Sequence, residues 1–282
     1  MSLKITIFDV EQGNAALLIS PTGHTALFDC GHNSETGFRP SIYLSRLFAS
    51  AGGGRLTNLV LSHPDQDHVS DIFGISQRNP LMLTRNPDLT GLRIRSDKLA
   101  SSGFVEAEIE EYIRLHEYYI GPISFIDWGG VAFDYFYNSP SDFADINDLS
   151  LVSFAFYGDF GIVFPGDLSK VGWEELLYRH PRAQSFREAL ARVQVFVASH
   201  HGRIDGYLED VFKFCSPAVV VFSDKGLEHD TQETQMLYKK HAAGIPFTLA
   251  SGKVETRYVF TTRNDGPMTI TTTGQGFYLQ TG

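Results

Sequence analysis

Cysteine is almost missing from this 282-residue chain, with Cys30 and Cys215 as its only two. Two thiols so far apart give neither a disulfide framework nor the close spacing of a cysteine metal site. Long hydrophobic runs are missing as well. A membrane-crossing helix needs roughly 18 or more apolar residues, whereas the stretch Ala218 to Phe222 has only the length of a buried strand. The first residues, Met1 to Ile7, alternate like a strand and do not show a charged region followed by an apolar one, so no secretory signal is expected. There is no basic excess either. Lys and Arg number 23 against 33 Asp and Glu, the net charge is −10 and the pI is near 5.4. Non-specific grip on long duplex DNA calls for a basic face, because phosphate neutralisation supplies most of that affinity. The expectation is a cytoplasmic protein with no membrane segment.

What is present is material for a core: 43% hydrophobic residues, 13% aromatic ones and a mean hydropathy of −0.11. No repeat or low-complexity linker interrupts it. Leu3 to Asp9, Ala15 to Ile19 and Thr25 to Phe28 read as strands separated by turn residues. A helix is predicted over Ser41 to Ser50, then a buried strand over Leu56 to Leu61. A helix is also predicted over Val105 to Tyr119, and strands over Val131 to Tyr137, Leu149 to Tyr157 and Gly161 to Phe164. Helices over Lys170 to Tyr178 and Gln184 to Arg192 precede a strand at Gln194 to Ala198. A helix over Gly206 to Phe214, a strand at Ala218 to Phe222, a helix over Thr231 to His241 and terminal strands complete the chain. That order suits an α/β protein with two sheets and helices packed outside, an αββα sandwich. The reading is one domain over residues 1–282, with a variable insertion around 75–145.

Chemistry concentrates at strand ends. His63-Pro64-Asp65-Gln66-Asp67-His68 places four metal-ligand side chains within six residues, directly after a buried strand. Gly161 to Phe164 leads through Pro165-Gly166 to Asp167. Val195 to Ala198 leads through Ser199 to His200-His201-Gly202. A lone strand-end Asp is usually a helix cap, but three such ends bearing Asp and His reinforce one another.

This ordered set resembles the metallo-β-lactamase superfamily. More narrowly it resembles the hydrolase domain of the ComEC/Rec2 DNA-uptake proteins and its free-standing relatives. Asp9 to Ala15, Leu27 to Gly31, Asn147 to Val152 and Arg263 to Gly266 match further motifs of that branch. The resemblance implies the αββα fold and two divalent metal ions, Zn²⁺ or Mn²⁺. His63 and Asp65 would hold the first, and Asp67 and His68 the second. Asp167 would bridge them, and His200 would complete the second site, with His201 as its substitute. Two such ions about 3.5–4 Å apart share and activate a water, so no side-chain nucleophile is required. The departures are Asp65 in place of a histidine, Asn147 near the position of a third-motif histidine (with Asp148 as its replacement), and Ser70-Asp71 in place of two glycines. Asp29 reads as the residue that orients the His63 to His68 loop. His229 and Ser150 read as proton-donating or phosphate-binding groups, with Lys225 and Arg203 as weaker phosphate candidates. The basic stretch Arg78 to Lys98 reads as solvated loop charge or as a positive rim beside the site. The implied activity is a phosphodiesterase or nuclease acting on single-stranded nucleic acid or a small nucleotide. Hydrolysis of a lactone, thioester or β-lactam is one alternative, and a binding or regulatory protein that has lost catalysis is another. Oligomeric state is not legible.

Overall fold

The computed structural model describes residues 2–121, 125–225, 234–249 and 251–282. The chain begins with β1 (Leu3–Ile7), β2 (Ala16–Ile19) and β3 (Thr25–Phe28), then α1 (Pro40–Ser50) and β4 (Asn58–Val60). Short helices α2 (Gln66–Val69) and α3 (Ile72–Ser76) lead to β5 (Met82–Thr84), α4 (Gly91–Ser102), α5 (Ala107–Tyr118) and β6 (Val131–Phe136). Then come β7 (Val152–Tyr157), β8 (Phe160–Phe164), α6 (Lys170–Glu174), α7 (Ala183–Leu190), β9 (Val195–Val197) and β10 (Val219–Phe222). The last stretch holds α8 (Gln235–Lys239), β11 (Ile245–Thr248), β12 (Val254–Arg257), β13 (Val259–Thr261), α9 (Thr262–Asp265), β14 (Met268–Thr272) and β15 (Tyr278–Thr281).

Two sheets carry the architecture, ordered β15-β14-β1-β2-β3-β4-β5 and β13-β10-β9-β8-β7-β6, beside a small β11-β12 hairpin. Side chains alternate across a strand, and here both faces are covered. In β3, Ala26 and Phe28 enter the apolar cluster between the sheets, while Leu27 enters the cluster under α1 and α5. In β10, Val219 and Val221 point between the sheets, whereas Val220 and Phe222 join Trp173, Phe186 and Tyr238 beneath the outer helices. Three apolar clusters thus separate four layers, the αββα sandwich. Burial on both faces is why these strands read as unbroken hydrophobic runs. Segment 75–145 is woven in: it supplies β5 to one sheet edge and β6 to the other.

Several expectations change. Residues 91–102, most of them in the basic stretch read as solvated loop charge or a positive rim, form α4, with Thr90 accepting from the Arg93 N–H at one end and Gly103 left-handed at the other. The helix predicted over Gly206 to Phe214 is a 3₁₀ turn at Glu209–Lys213. No helix among the described residues is long and apolar enough to cross a membrane.

Candidate metal centre

β8, β9 and β10 run parallel in their sheet, so the chain leaves them at one edge, where loops and side chains converge. β4 in the other sheet ends opposite them: Leu151 N–H donates to the Ser62 carbonyl at 2.8 Å, joining the two sheets at this point. From these ends come His63 to His68, Asp167 and His200-His201.

One set is tight. Single donor atoms of Asp67, His68, Asp167 and His201 all lie within 4.8 Å of one another. His68 Nε2 is 3.0 Å from Asp167 Oδ1, and His201 Nε2 is 3.3 Å from Asp167 Oδ2 and 3.3 Å from Asp67 Oδ2. The two imidazole nitrogens of His68 and His201 face each other at 3.2 Å. Ligands about 2.0–2.1 Å from one tetrahedral cation would be spaced by roughly 3.3 Å, so this donor set fits a divalent metal. A looser set adjoins it. His63 Nε2 is 3.5 Å from Asp65 Oδ2 and 3.9 Å from Asp167 Oδ2, and His200 Nε2 is 3.6 Å from Asp167 Oδ2. His63 Nε2 is buried without a hydrogen-bond partner among the described residues, as expected of a lone pair meant for a cation. Asp167 touches both sets.

Charge follows the geometry. Burial opposes ionisation of Asp67, but His201 and His68 outweigh it and hold that carboxyl down to about 2. Burial also opposes protonation of His201, yet Asp167 and Asp67 raise it to about 9. Asp167 and Asp29 likewise push His68 up against its burial. Positive charge is therefore favoured at the point where the metal-ligand atoms meet.

Residues 8–211 match the family model of the metallo-beta-lactamase superfamily. The chain belongs to that superfamily. Asp67, His68, Asp167 and His201 form a cluster that could hold a metal ion. Competence protein ComA of Neisseria gonorrhoeae is 25% identical over 260 residues, covering 89% of this chain and 32% of the relative, so the chain spans about a third of that protein's length. Among solved structures, a diphosphatase of the PhnP family overlays with a TM-score of 0.43 at 10% identity, covering 96% of this chain and 99% of the other. CmlA, a diiron beta-hydroxylase from Streptomyces venezuelae, overlays with a TM-score of 0.49 at 11% identity, covering 95% and 53%.

The surroundings of this superfamily site explain how it is held. Asp29, at the end of β3, is buried and left-handed at φ 56. Its Oδ1 accepts the Ser62 N–H at 2.7 Å, and its Oδ2 accepts from Ser62 Oγ at 2.8 Å, His68 Nδ1 at 2.8 Å and Asn14 Nδ2 at 3.1 Å. A carboxylate only accepts, so His68 keeps a proton on Nδ1 and turns Nε2 toward the cluster, where it would bind a cation once its second proton leaves. Ser62 Oγ, having donated to Asp29, accepts from His63 Nδ1 at 3.0 Å, which leaves His63 Nε2 free in the same way. His201 Nδ1 donates to the Ser223 carbonyl at 3.1 Å. Gly13 and Gly31 press on the same loop: a Cβ on either would overlap the Asp67 carbonyl oxygen.

Several sequence expectations take a different place. His201, not His200, joins Asp67 and His68. His200 leans on Asp167 from the other side, with Asp205 Oδ1 at 3.1 Å from its Nδ1. Both histidines are left-handed, at φ 50 and 53, and this turns their neighbouring side chains to different sides of Asp167. Ser150, expected to contact phosphate, is fully buried and accepts the Asp167 N–H at 3.2 Å, so it positions that aspartate from behind. Asp148 stands away from the ligands: its Oδ1 accepts from Ser169 N at 3.2 Å and Gly172 N at 3.1 Å, capping α6. Asp71, where relatives have glycine, caps α1 through the Ser41 N–H at 2.7 Å. Lys225 is tied to Glu11 at 3.3 Å, and Arg203 Nη1 lies 3.3 Å from His200 Nε2. His229 lies outside the described residues.

A cavity of about 760 Å³ lies elsewhere, between α1 and the outer face of β1, lined by Lys4, Phe8, Phe38, Tyr43 and Arg46 among others. None of the seven ligand candidates lines it. The chemistry is placed by the donor set and not by that hollow.

Proposed function

We propose that this protein is a two-metal phosphodiesterase acting on single-stranded nucleic acid or a small nucleotide in the cytoplasm. The observation that carries this reading is the gathering of two further carboxylates and four imidazoles around Asp167. Asp67, His68, Asp167 and His201 would hold one cation. His63, Asp65 and His200 would hold the other, with Asp167 shared. Divalent ions there would supply an activated water at neutral pH and neutralise charge on phosphoryl oxygens. Two of them would offset the carboxylates Asp29, Asp65, Asp67 and Asp167, which lets an anionic substrate approach in an otherwise acidic protein.

The chain's own residues do the rest. Asp29 and Ser62 fix the tautomers of His68 and His63, so that both lone pairs face inward. Ser150 and the left-handed turn at Gly166, φ 61, fix the Asp167 carboxylate between the two sets. Asp65, a carboxylate where an imidazole is more usual, hardens its half of the site and favours Mn²⁺ relative to an all-histidine shell. The acidic net charge favours a short or single-stranded substrate over duplex. Buried, unpaired Cys30 and Cys215 fit a reducing compartment.

Elemental analysis with a substrate panel (bis-p-nitrophenyl phosphate, single-stranded DNA, cyclic nucleotides and a lactone) tests this. The expected result is two metals per chain, and phosphodiester turnover restored better by Mn²⁺ than by Zn²⁺ after stripping. Lactone turnover without phosphodiester turnover would refute the substrate class. Absence of stoichiometric metal would refute the hydrolase. Asp167→Asn is expected to abolish turnover with the fold retained.

A further inference from the structure

Helix α4 carries four charged side chains, three of which pair with one another, with Glu110 or with nearby carbonyls, and one that reaches further. Arg93 is spent on Asp97, at 2.7 Å, and on the carbonyls of Pro140, Phe143 and Ala144. Arg95 pairs with Glu110 at 2.9 Å on the surface. Lys98 instead crosses to the metal centre, where its Nζ pairs with Asp65 Oδ1. Asp65 is thereby split between two tasks, with Oδ1 on Lys98 and Oδ2 facing His63 Nε2 at 3.5 Å. Burial works against the charge on Asp65, but His63 and Lys98 hold its carboxyl well below the ordinary range.

The Lys98 side chain is only 14% exposed, so its stem is packed and its ammonium is fixed at the site rim. An ammonium has three donors, and Asp65 uses one. The remaining two lie beside Asp65, one of the candidate ligands, in a site whose substrate is anionic in the reading above. A lysine here acts as a point charge for phosphate oxygens, without the planar fork of arginine.

We propose that Lys98, delivered by α4, is the phosphate-recognition residue of this centre: it holds a non-bridging phosphoryl oxygen of the substrate and biases the hydrolase toward phosphoesters over neutral esters. This rests on the phosphodiesterase reading, and the test separates the two.

Inorganic phosphate binding to Mn²⁺-loaded wild type, Lys98→Met, Lys98→Arg and Arg95→Met is measured by calorimetry, with metal content read on the same samples. KM for bis-p-nitrophenyl phosphate is measured in parallel. Lys98→Met is expected to weaken phosphate binding and raise that KM by about ten- to a hundredfold, the loss typical of a charge-assisted contact, with metal content unchanged. Lys98→Arg should recover most of the affinity, and Arg95→Met, which removes a cation from the same helix, should change neither. Unaltered phosphate affinity in Lys98→Met overturns the proposal. So does loss of metal in step with phosphate, which would make Lys98 only a prop for Asp65. Wild type that binds phosphate yet cleaves no phosphodiester refutes the activity reading alone, because the phosphate titration still decides Lys98.

Discussion

Asp29→Asn removes one charge while leaving the backbone able to keep its φ of 56, since asparagine tolerates the left-handed region. What changes is hydrogen bonding. Asp29 accepts four bonds, one on Oδ1 and three on Oδ2, and an amide has one oxygen to offer. The less costly orientation keeps the oxygen toward His68, Ser62 Oγ and Asn14, and sets the NH₂ against the Ser62 N–H. That strands one buried donor, at a cost of about 1–3 kcal/mol. It also withdraws the negative charge that raises the basicity of His68. Loss of such an outer partner lowers metal affinity by about 10- to 100-fold, which is roughly 1.4–2.8 kcal/mol. The assay is competition for Mn²⁺ against a fluorescent chelator, together with urea unfolding of the metal-free protein. Asp29→Ala serves as the contrast, because it adds a left-handed penalty of roughly 1–2 kcal/mol to stability. If Asp29→Asn binds Mn²⁺ as tightly as wild type, the argument that Asp29 sets the His68 tautomer and basicity fails.

Gly31→Ala should fold but bind metal at least tenfold more weakly, because its Cβ would overlap the Asp67 carbonyl; Gly121→Ala, with open space around it, should match wild type in the same titration. Metal binding near pH 7 should release protons, since His201, raised to about 9, and His68 must give up a proton to become ligands; calorimetry in buffers of different ionisation heat reads this, and zero release refutes it. His116, held down to about 4 by burial and by Arg85, should make the protein acid-sensitive away from the metals. As pH falls from 6.5 toward 4 the unfolded chain protonates first, so stability is lost across that window, by at most about 3 kcal/mol; His116→Gln should flatten that limb of a urea-unfolding profile, and an unchanged profile sinks the assignment.

The readable parts of the sequence were those in which one local force dominates. Strands buried on both faces gave unbroken apolar runs at Leu59 to Leu61, Ile162 to Phe164 and Val195 to Ala198, and the ligand motifs follow these runs closely. α4 escaped notice because only Gly91 and Ile94 of its residues are buried, which leaves no apolar stripe to read; its signals were the caps, Thr90 and Gly103. The order of His200 and His201 around Asp167 depends on two left-handed φ values, and spacing along a chain does not encode those. Ser150 carries a motif position yet faces inward, because the strand that follows it alternates from Leu151. The reach of Lys98 to Asp65 spans 33 positions and exists only once α4 docks.

The placement of backbone strain ties these points together. Of the five non-glycine residues with positive φ among the described residues, Glu11, Asp29, His200 and His201 belong to the loops around the candidate metal centre, and Asn79 stands apart. Each costs on the order of 1 kcal/mol or more, a sum comparable to a good part of a typical domain's net stability. Converging carboxylates add repulsion to that. A loop on a flexible support would relax out of such geometry. Here three of the four follow a strand buried on both faces, Asp29 after β3 and His200 and His201 after β9, and Glu11 is tied to the loop after β3 by accepting from the Ser34 hydroxyl at 2.7 Å. The three apolar layers hold the strand ends still, and the strand ends hold the donor atoms at spacings a cation would fill. The position of the site at the sheet edge therefore follows from where rigid backbone stops, and its chemistry from which side chains the sequence puts at those stops.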